Sequence, residues 1–145
     1  MRYALINGII LNGKKDMTPL KGYSIIVEDG KIKEITDQQV NDIKAIDLKN
    51  KYVMPGLINM HVHLPGSGMP KDTGKQNKES VNKLLSNPLT RYIVYKLCAK
   101  FAKIELMSGV TTIRTVGGLS NIDSKIRDNI IKGKLKGPRI LSSNM

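Results

Sequence analysis

The sequence has no tryptophan, one phenylalanine and five tyrosines among its 145 residues. So few flat rings leave little on which unpaired bases could stack. It has a single cysteine, Cys98, which excludes a disulfide framework within the chain. Cys98 sits among apolar residues of a predicted helix and reads as a small core residue rather than a nucleophile. No apolar run approaches the roughly 20 residues of a membrane span. Asn7-Gly8 interrupts the first apolar stretch before it resembles a leader. These shortages point to a soluble, cytoplasmic protein. Acidic residues are also scarce, 12 against 24 Lys and Arg, for a net charge of +12. An excess of that size could serve nucleic acid or an anionic surface. The lysines are scattered rather than gathered into one block, so the charge reads as solvated surface, with neither nucleic acid nor membrane as partner.

Histidine is scarcer still, and its placement is the informative feature. Both histidines of the chain lie in Pro55-Gly56-Leu57-Ile58-Asn59-Met60-His61-Val62-His63. The apolar run entered from Pro-Gly reads as a short buried strand. Side chains alternate along a strand, so His61 and His63 point to one face. Met60, Val62 and Leu64 point to the other and can pack under a covering layer. Two imidazoles side by side at a strand end make half of a metal site, since neutral imidazole suits zinc and its neighbours. An isolated His-X-His is usually incidental, so the spacing alone does not settle the matter.

The stretch resembles the signature that ends the first barrel strand in the amidohydrolase superfamily, Pro-Gly-apolar-Ile-Asp-x-His-x-His. The match is at Pro55, Gly56, Leu57, Ile58, His61 and His63. Asn59 stands where the family usually has Asp; it keeps the shape and one acceptor but not the charge. The resemblance implies that His61 and His63 ligate a divalent metal, most simply zinc, with one or two ions in a complete site. Asn59 then supports the histidines from behind.

The flanks extend the likeness. Residues 1–54 read as short strands: Tyr3–Ile6, Ile9–Leu11, Tyr23–Val27, Lys31–Ile35, Ala45–Leu48 and Tyr52–Met54. Asn7-Gly8 and Asn12-Gly13 carry hairpin chemistry, and Glu28-Asp29-Gly30 joins the third and fourth runs. Asp-Gly-x-Ile-x-x-Ile, Ile-Asp-Leu and Val-x-Pro-Gly resemble the amidohydrolase N-terminal segment, which forms part of a small β-sandwich. Residues 65–87 read as loop, with turn residues from Pro65 to Pro70. Gly66-x-Gly68 lacks the rest of a phosphate-binding motif, and Lys71, Lys75 and Lys78 read as solvated. Asn87-Pro88 opens a helix as N-cap and first helical residue. Its core face is expected along Leu89, Ile93, Leu97, Phe101, Ile104 and Ser108, and Gly109 closes it.

A β-branched strand follows at Val110–Val116. Gly-Val-Thr-Thr-Ile-Arg resembles the second barrel strand of the imidazolonepropionase-like and prolidase-like branch. That branch commonly has Asp after the Arg; here Thr115 stands, and neither it nor Arg114 is given a role. A second helix runs from Asn121 to Lys132, with Ile122, Ile126, Ile130 and Ile131 as its stripe. Gly137-Pro138-Arg139-Ile140 opens a third strand.

The expected fold is therefore α/β: part of a composite β-sandwich over residues 1–54, then the first βαβαβ portion of a TIM (β/α)₈ barrel over 55–145. A complete barrel takes about 250 residues, so the chain reads as the N-terminal portion of a metal-dependent hydrolase of C–N bonds in small amide, cyclic amide or amidine-like substrates. The general base and remaining ligands are expected outside it, which leaves this chain alone inactive. The competing expectation is an inactive remnant, or one half of a split enzyme acting as an interaction module. An open barrel exposes strand edges that favour association, with a second copy or a complementing C-terminal half.

Overall fold

The computed structural model describes residues 1–66 and 78–143. The chain divides into two compact units, Met1–Pro55 and Gly56–Met145. In the first, β1 (Arg2–Ile6), β2 (Ile9–Ile10), β3 (Ser24–Glu28), β4 (Lys31–Thr36), β5 (Lys44–Asp47) and β6 (Tyr52–Val53) follow one another. They form a four-stranded sheet in the order β4-β3-β1-β5 and a two-stranded sheet of β2 and β6. The turn between β3 and β4 has Asp29 at φ 49° and Gly30 at φ 76°, with Glu28 opposite Lys31. Two left-handed residues are what a tight hairpin between right-twisted strands requires.

Asn7-Gly8 makes no hairpin. β1 pairs in parallel with β5, and β2 in parallel with β6. Asn7, at φ 55°, instead turns the chain out of one sheet and into the other. Its carbonyl accepts from Asn50 N at 2.7 Å, which ties it to the matching turn between β5 and β6. Tertiary pairing has overridden a local signal. Ile10, Ile25 and Val27 form the buried core of this unit, with Tyr3, Leu5 and Val53 packed on it.

In the second unit, β7 (Leu57–Val62), β8 (Val110–Thr115) and β9 (Arg139–Ser142) form a parallel sheet in that order. Parallel neighbours need crossovers, and helices supply them here. They are α1 (Lys78–Ser86) and α2 (Pro88–Met107) between β7 and β8, and α3 (Ile122–Ile131) between β8 and β9. The loop reading of 65–87 fails over α1, where Val81 and Leu85 in a short polar stretch gave too weak a period to register; Leu85 packs on the core. The loop reading of 67–77, with Gly68, Lys71 and Lys75, lies outside the described residues.

Asn87 caps α2, its side-chain oxygen accepting from Leu89 N at 2.9 Å. Gly109 leaves the helix at φ 94°, a conformation that costs glycine little. The stripe expected to face the core does not: Leu89 is 68% exposed, Ile93 57% and Ile104 52%. The buried face carries Cys98 and Ala102, with Val94, Tyr95 and Ala99 beside them. α2 is apolar on two sides, and its small side chains let it lie close on the sheet. Hydrophobicity alone ranks the bulkier stripe first and picks the wrong side. On α3, Ile122 and Ile126 are buried as expected, whereas Ile131 is 76% exposed. Val62, Leu64, Ile113 and Ile140 complete the core from the sheet. No helix among the described residues is long and apolar enough to cross a membrane.

Candidate metal centre

The alternation that sends Val62 and Leu64 into the core sends His61 and His63 to the opposite, exposed face. His61 is near the C-terminal end of β7 and His63 directly follows it. Their ring centres stand 5.3 Å apart, at 65° to one another. An imidazole bound at about 2.1 Å places its ring centre about 3.2 Å from the metal, so two on tetrahedral directions stand about 5 Å apart. The observed pair fits that requirement.

Each histidine has a local support. His63 Nδ1 lies 3.1 Å from the carbonyl oxygen of Gly117, in the turn that follows β8. A carbonyl only accepts, so Nδ1 carries the proton and donates, which leaves Nε2 with a bare lone pair for a ligand. The Asn59 side-chain oxygen accepts from the backbone N of His61 at 3.2 Å. Asn59 thus acts on the backbone that carries His61 rather than on the imidazole. An aspartate could accept the same bond, which is why Asn can stand here. A cavity of about 270 Å³ beside the strand is lined by Asn59, His61, His63, Phe101 and Glu105. Among the described residues, no group of three or more His, Cys, Asp or Glu side chains is placed to hold a metal ion.

The ends of the strands are knitted together around the pair. Val116 N donates to the Val62 carbonyl at 3.1 Å, and the Ser143 hydroxyl donates to the Thr115 carbonyl at 2.8 Å. Arg114 points to the exposed face of β8, opposite the buried Ile113 and Thr115. Cys98 is buried, and burial, with the charge of Asp123 second, pushes its thiol up to about 11. It is therefore a neutral core group.

Besides Gly117, sequence reasoning missed a second residue at this end of the sheet, Asp123. It stands in the first turn of α3 and is 3% exposed. Neither carboxylate oxygen has a hydrogen-bond partner, and the same holds for the Thr115 hydroxyl. Burial raises the Asp123 pKa above the ordinary carboxylate value; the nearby Thr115 hydroxyl and the neighbouring His63 ring oppose that. An acid in a first helical turn is ordinary in sequence, because the helix dipole favours it.

Against known proteins, the family model described as "Amidohydrolase family" matches residues 52–145. A 5'-deoxyadenosine deaminase of Methanocaldococcus jannaschii is 38% identical over 64 residues, which are 42% of this chain and 14% of that protein. An imidazolonepropionase of Picrophilus torridus is 47% identical over 49 residues, 34% of this chain and 12% of the relative. Among solved structures, a Xaa-Pro dipeptidase with methionine bound in its active site superposes with a TM-score of 0.76 at 26% identity. That superposition covers 99% of this chain and 33% of the dipeptidase. The chain thus spans about a third of the length of that solved relative.

Proposed function

Since the chain belongs to the amidohydrolase family, we propose that it supplies the first strands, and the first two metal ligands, of a hydrolase that cleaves C–N bonds in small amide, cyclic amide or amidine-like substrates. The observation that carries this reading is the His61–His63 pair, spaced as two ligands of one ion and with the His63 tautomer fixed by Gly117. In this reading residues 1–54 are part of a composite β-sandwich, and 55–145 are three strands of a (β/α)₈ barrel with their crossover helices. The C-terminal ends of barrel strands are where such enzymes place their chemistry, and both histidines are at such an end. Apolar side chains left uncovered on both layers, Ile58 and Met60 on β7 and Leu89 and Ile93 on α2, suit surfaces that further barrel units would cover.

His61 and His63 would hold a divalent ion, most simply zinc, each through one ring nitrogen. When bound there, such an ion lowers the pKa of water and polarises a carbonyl. The chain's own part is to hold two neutral imidazoles at a fixed separation. Gly117 selects the protonated nitrogen of His63, and Asn59 steadies the strand that carries His61. A catalytic zinc needs about three protein ligands, so the others and the general base come from residues beyond the described ones. A cytoplasmic setting suits a chain whose one thiol is buried and unpaired.

A second reading is a catalytically silent remnant, or one half of a split enzyme that works as an interaction module. It is favoured by the absence of a three-residue donor group among the described residues. Two experiments decide. Zinc titration by calorimetry should show weak binding that is lost in His61→Ala and in His63→Ala; binding indifferent to both substitutions would refute the ligand assignment. In a protein completed by whatever its reading frame encodes after Met145, metal-dependent hydrolysis of an amide panel, abolished by His61→Ala, supports the enzyme. A frame with no further histidines or aspartate favours the second reading.

A further inference from the structure

Asp123 has no role in the reading above, yet its setting is costly. A carboxylate 3% exposed with both oxygens unpartnered is among the least favourable groups a core can contain. Asparagine would fill the same space without the charge, so packing alone does not account for an acid. What surrounds it does. The carboxylate lies against Gly118 so closely that a Cβ there would come within 2.6 Å of Oδ2 and 2.7 Å of Cγ. Gly118 follows Gly117, whose carbonyl holds the His63 ring at 3.1 Å. The Thr115 hydroxyl, fully buried and also without a partner, flanks the same spot from the end of β8. The backbone between them is pinned to β7 through Val116 N and the Val62 carbonyl.

We propose that Asp123 is a positioning residue for His63, acting through the Gly117–Gly118 turn. Its carboxylate fills the hollow behind the glycines and fixes where the Gly117 carbonyl points. Its negative charge faces an imidazole that presents its N–H inward and its lone pair outward. This inference rests on the metal reading for its purpose: a buried counter-charge raises the basicity of a ligand and offsets an incoming cation. It does not rest on that reading for its geometry. The His63 ring favours the ionised form of Asp123, in keeping with the arrangement.

The test is Asp123→Asn in the full chain, with two readouts. The first needs no metal. With two histidines in the sequence, long-range ¹H–¹⁵N spectra contain two imidazole sets, assigned with His61→Ala. The native protein should show His63 protonated on Nδ1. Asp123→Asn should convert His63 to a mixture of tautomers and leave the His61 signals in place. A loosened sheet would move both, and that result, or an unmoved His63, overturns the proposal. The second readout is zinc alone, by calorimetry: Asp123→Asn should weaken binding about tenfold, and unchanged affinity overturns the proposal. If zinc fails to bind the native chain, the ligand assignment of His61 and His63 fails, while the tautomer comparison still decides the role of Asp123. Should Asp123→Asn not fold, Gly118→Ala replaces it. A methyl there displaces the carboxylate but keeps its charge, and must produce the same shift confined to His63; unshifted signals overturn the proposal.

Discussion

Replacing Gly56 by alanine should damage the sheet beneath the histidines, and the structure says by what route. A Cβ on Gly56 would stand 2.1 Å from Thr111 Oγ1, 2.2 Å from Cγ2 and 2.7 Å from Cβ. Thr111 lies where the β7–β8 register slips: Leu57 faces Val110 and Ile58 faces Thr112, so Thr111 is the extra residue of an irregularity. Its side chain bulges toward the neighbouring backbone, and only a glycine there leaves it room. Rotating Thr111 about χ1 exchanges the first two clashes but not the third, so the strands must separate. Overpacking of this kind costs about 1–3 kcal/mol. In a unit of this size each 1 kcal/mol lowers the melting temperature by roughly 4–8 °C. The assay is urea unfolding by circular dichroism, together with amide exchange at Leu57, whose N donates to the Gly109 carbonyl at 2.9 Å. Gly56→Ala should lower the midpoint and the protection of Leu57. Thr111→Ala in the same background should restore part of the loss, since the clash with Cβ remains, and Thr111→Gly should restore more. A Gly56→Ala protein with unchanged midpoint, or one that Thr111→Gly fails to relieve, would refute this account of the Pro-Gly motif.

Other perturbations have equally definite outcomes. Ile113→Ala empties a fully buried site at the centre of the parallel sheet and should cost about 2–5 kcal/mol by urea unfolding. Asn87→Ala removes the acceptor of Leu89 N and Thr90 N and should cost about 0.5–2 kcal/mol, seen as faster amide exchange in the first turn of α2. Cys98, its thiol pushed up to about 11, should resist alkylation at pH 7.5 until denaturant exposes it; rapid labelling of the native chain would contradict its burial. For Asp123, burial holds the folded pKa above the ordinary carboxylate value of 3.8, so the folded state takes up the proton more readily. The penalty of the ionised form is then complete above the folded pKa and relieved as pH falls toward 3.8. Asp123→Asn should therefore raise stability at pH 7, by about 1–3 kcal/mol for an unsatisfied buried group, and lose that advantage near pH 3.8.

The parts of the fold that could be read from sequence are those in which local chemistry and tertiary pairing agree. Asp29-Gly30 forms the turn that its residues favour, and Asn87-Pro88 caps the helix that it announces. Where the two levels differ, the local signal misleads. Asn7-Gly8 has hairpin chemistry, but β1 and β2 each find a parallel partner far along the chain. No short window contains that information. α2 misleads differently: both of its sides are apolar, so periodicity identifies a helix without saying which side meets the sheet. The decisive feature is size, Cys98 and Ala102 against Leu89 and Ile93, which counts only once a flat partner is known to be there.

The candidate site divides along the same line. His61 and His63 were legible because a strand's period of two guarantees a shared face. Asn59 was legible as their companion, but not the way it acts, through the backbone N of His61. Gly117 and Asp123 were invisible as site residues because they reach His63 only through the β7–β8 pairing, 54 residues along the chain in the case of Gly117. In sequence Asp123 is one of several acids near helix ends. What singles it out is a property of the folded chain alone, a charge kept out of water with no bonded partner. Folding gains nothing from such a group, since a neutral isostere would pack as well. A residue that weakens the fold and sits behind the hydrogen bond of His63 is best explained by what it does to that histidine. The same substitution, Asp123→Asn, is therefore expected to move stability and zinc affinity in opposite directions. If both fell together, the carboxylate would be part of the packing and of nothing else.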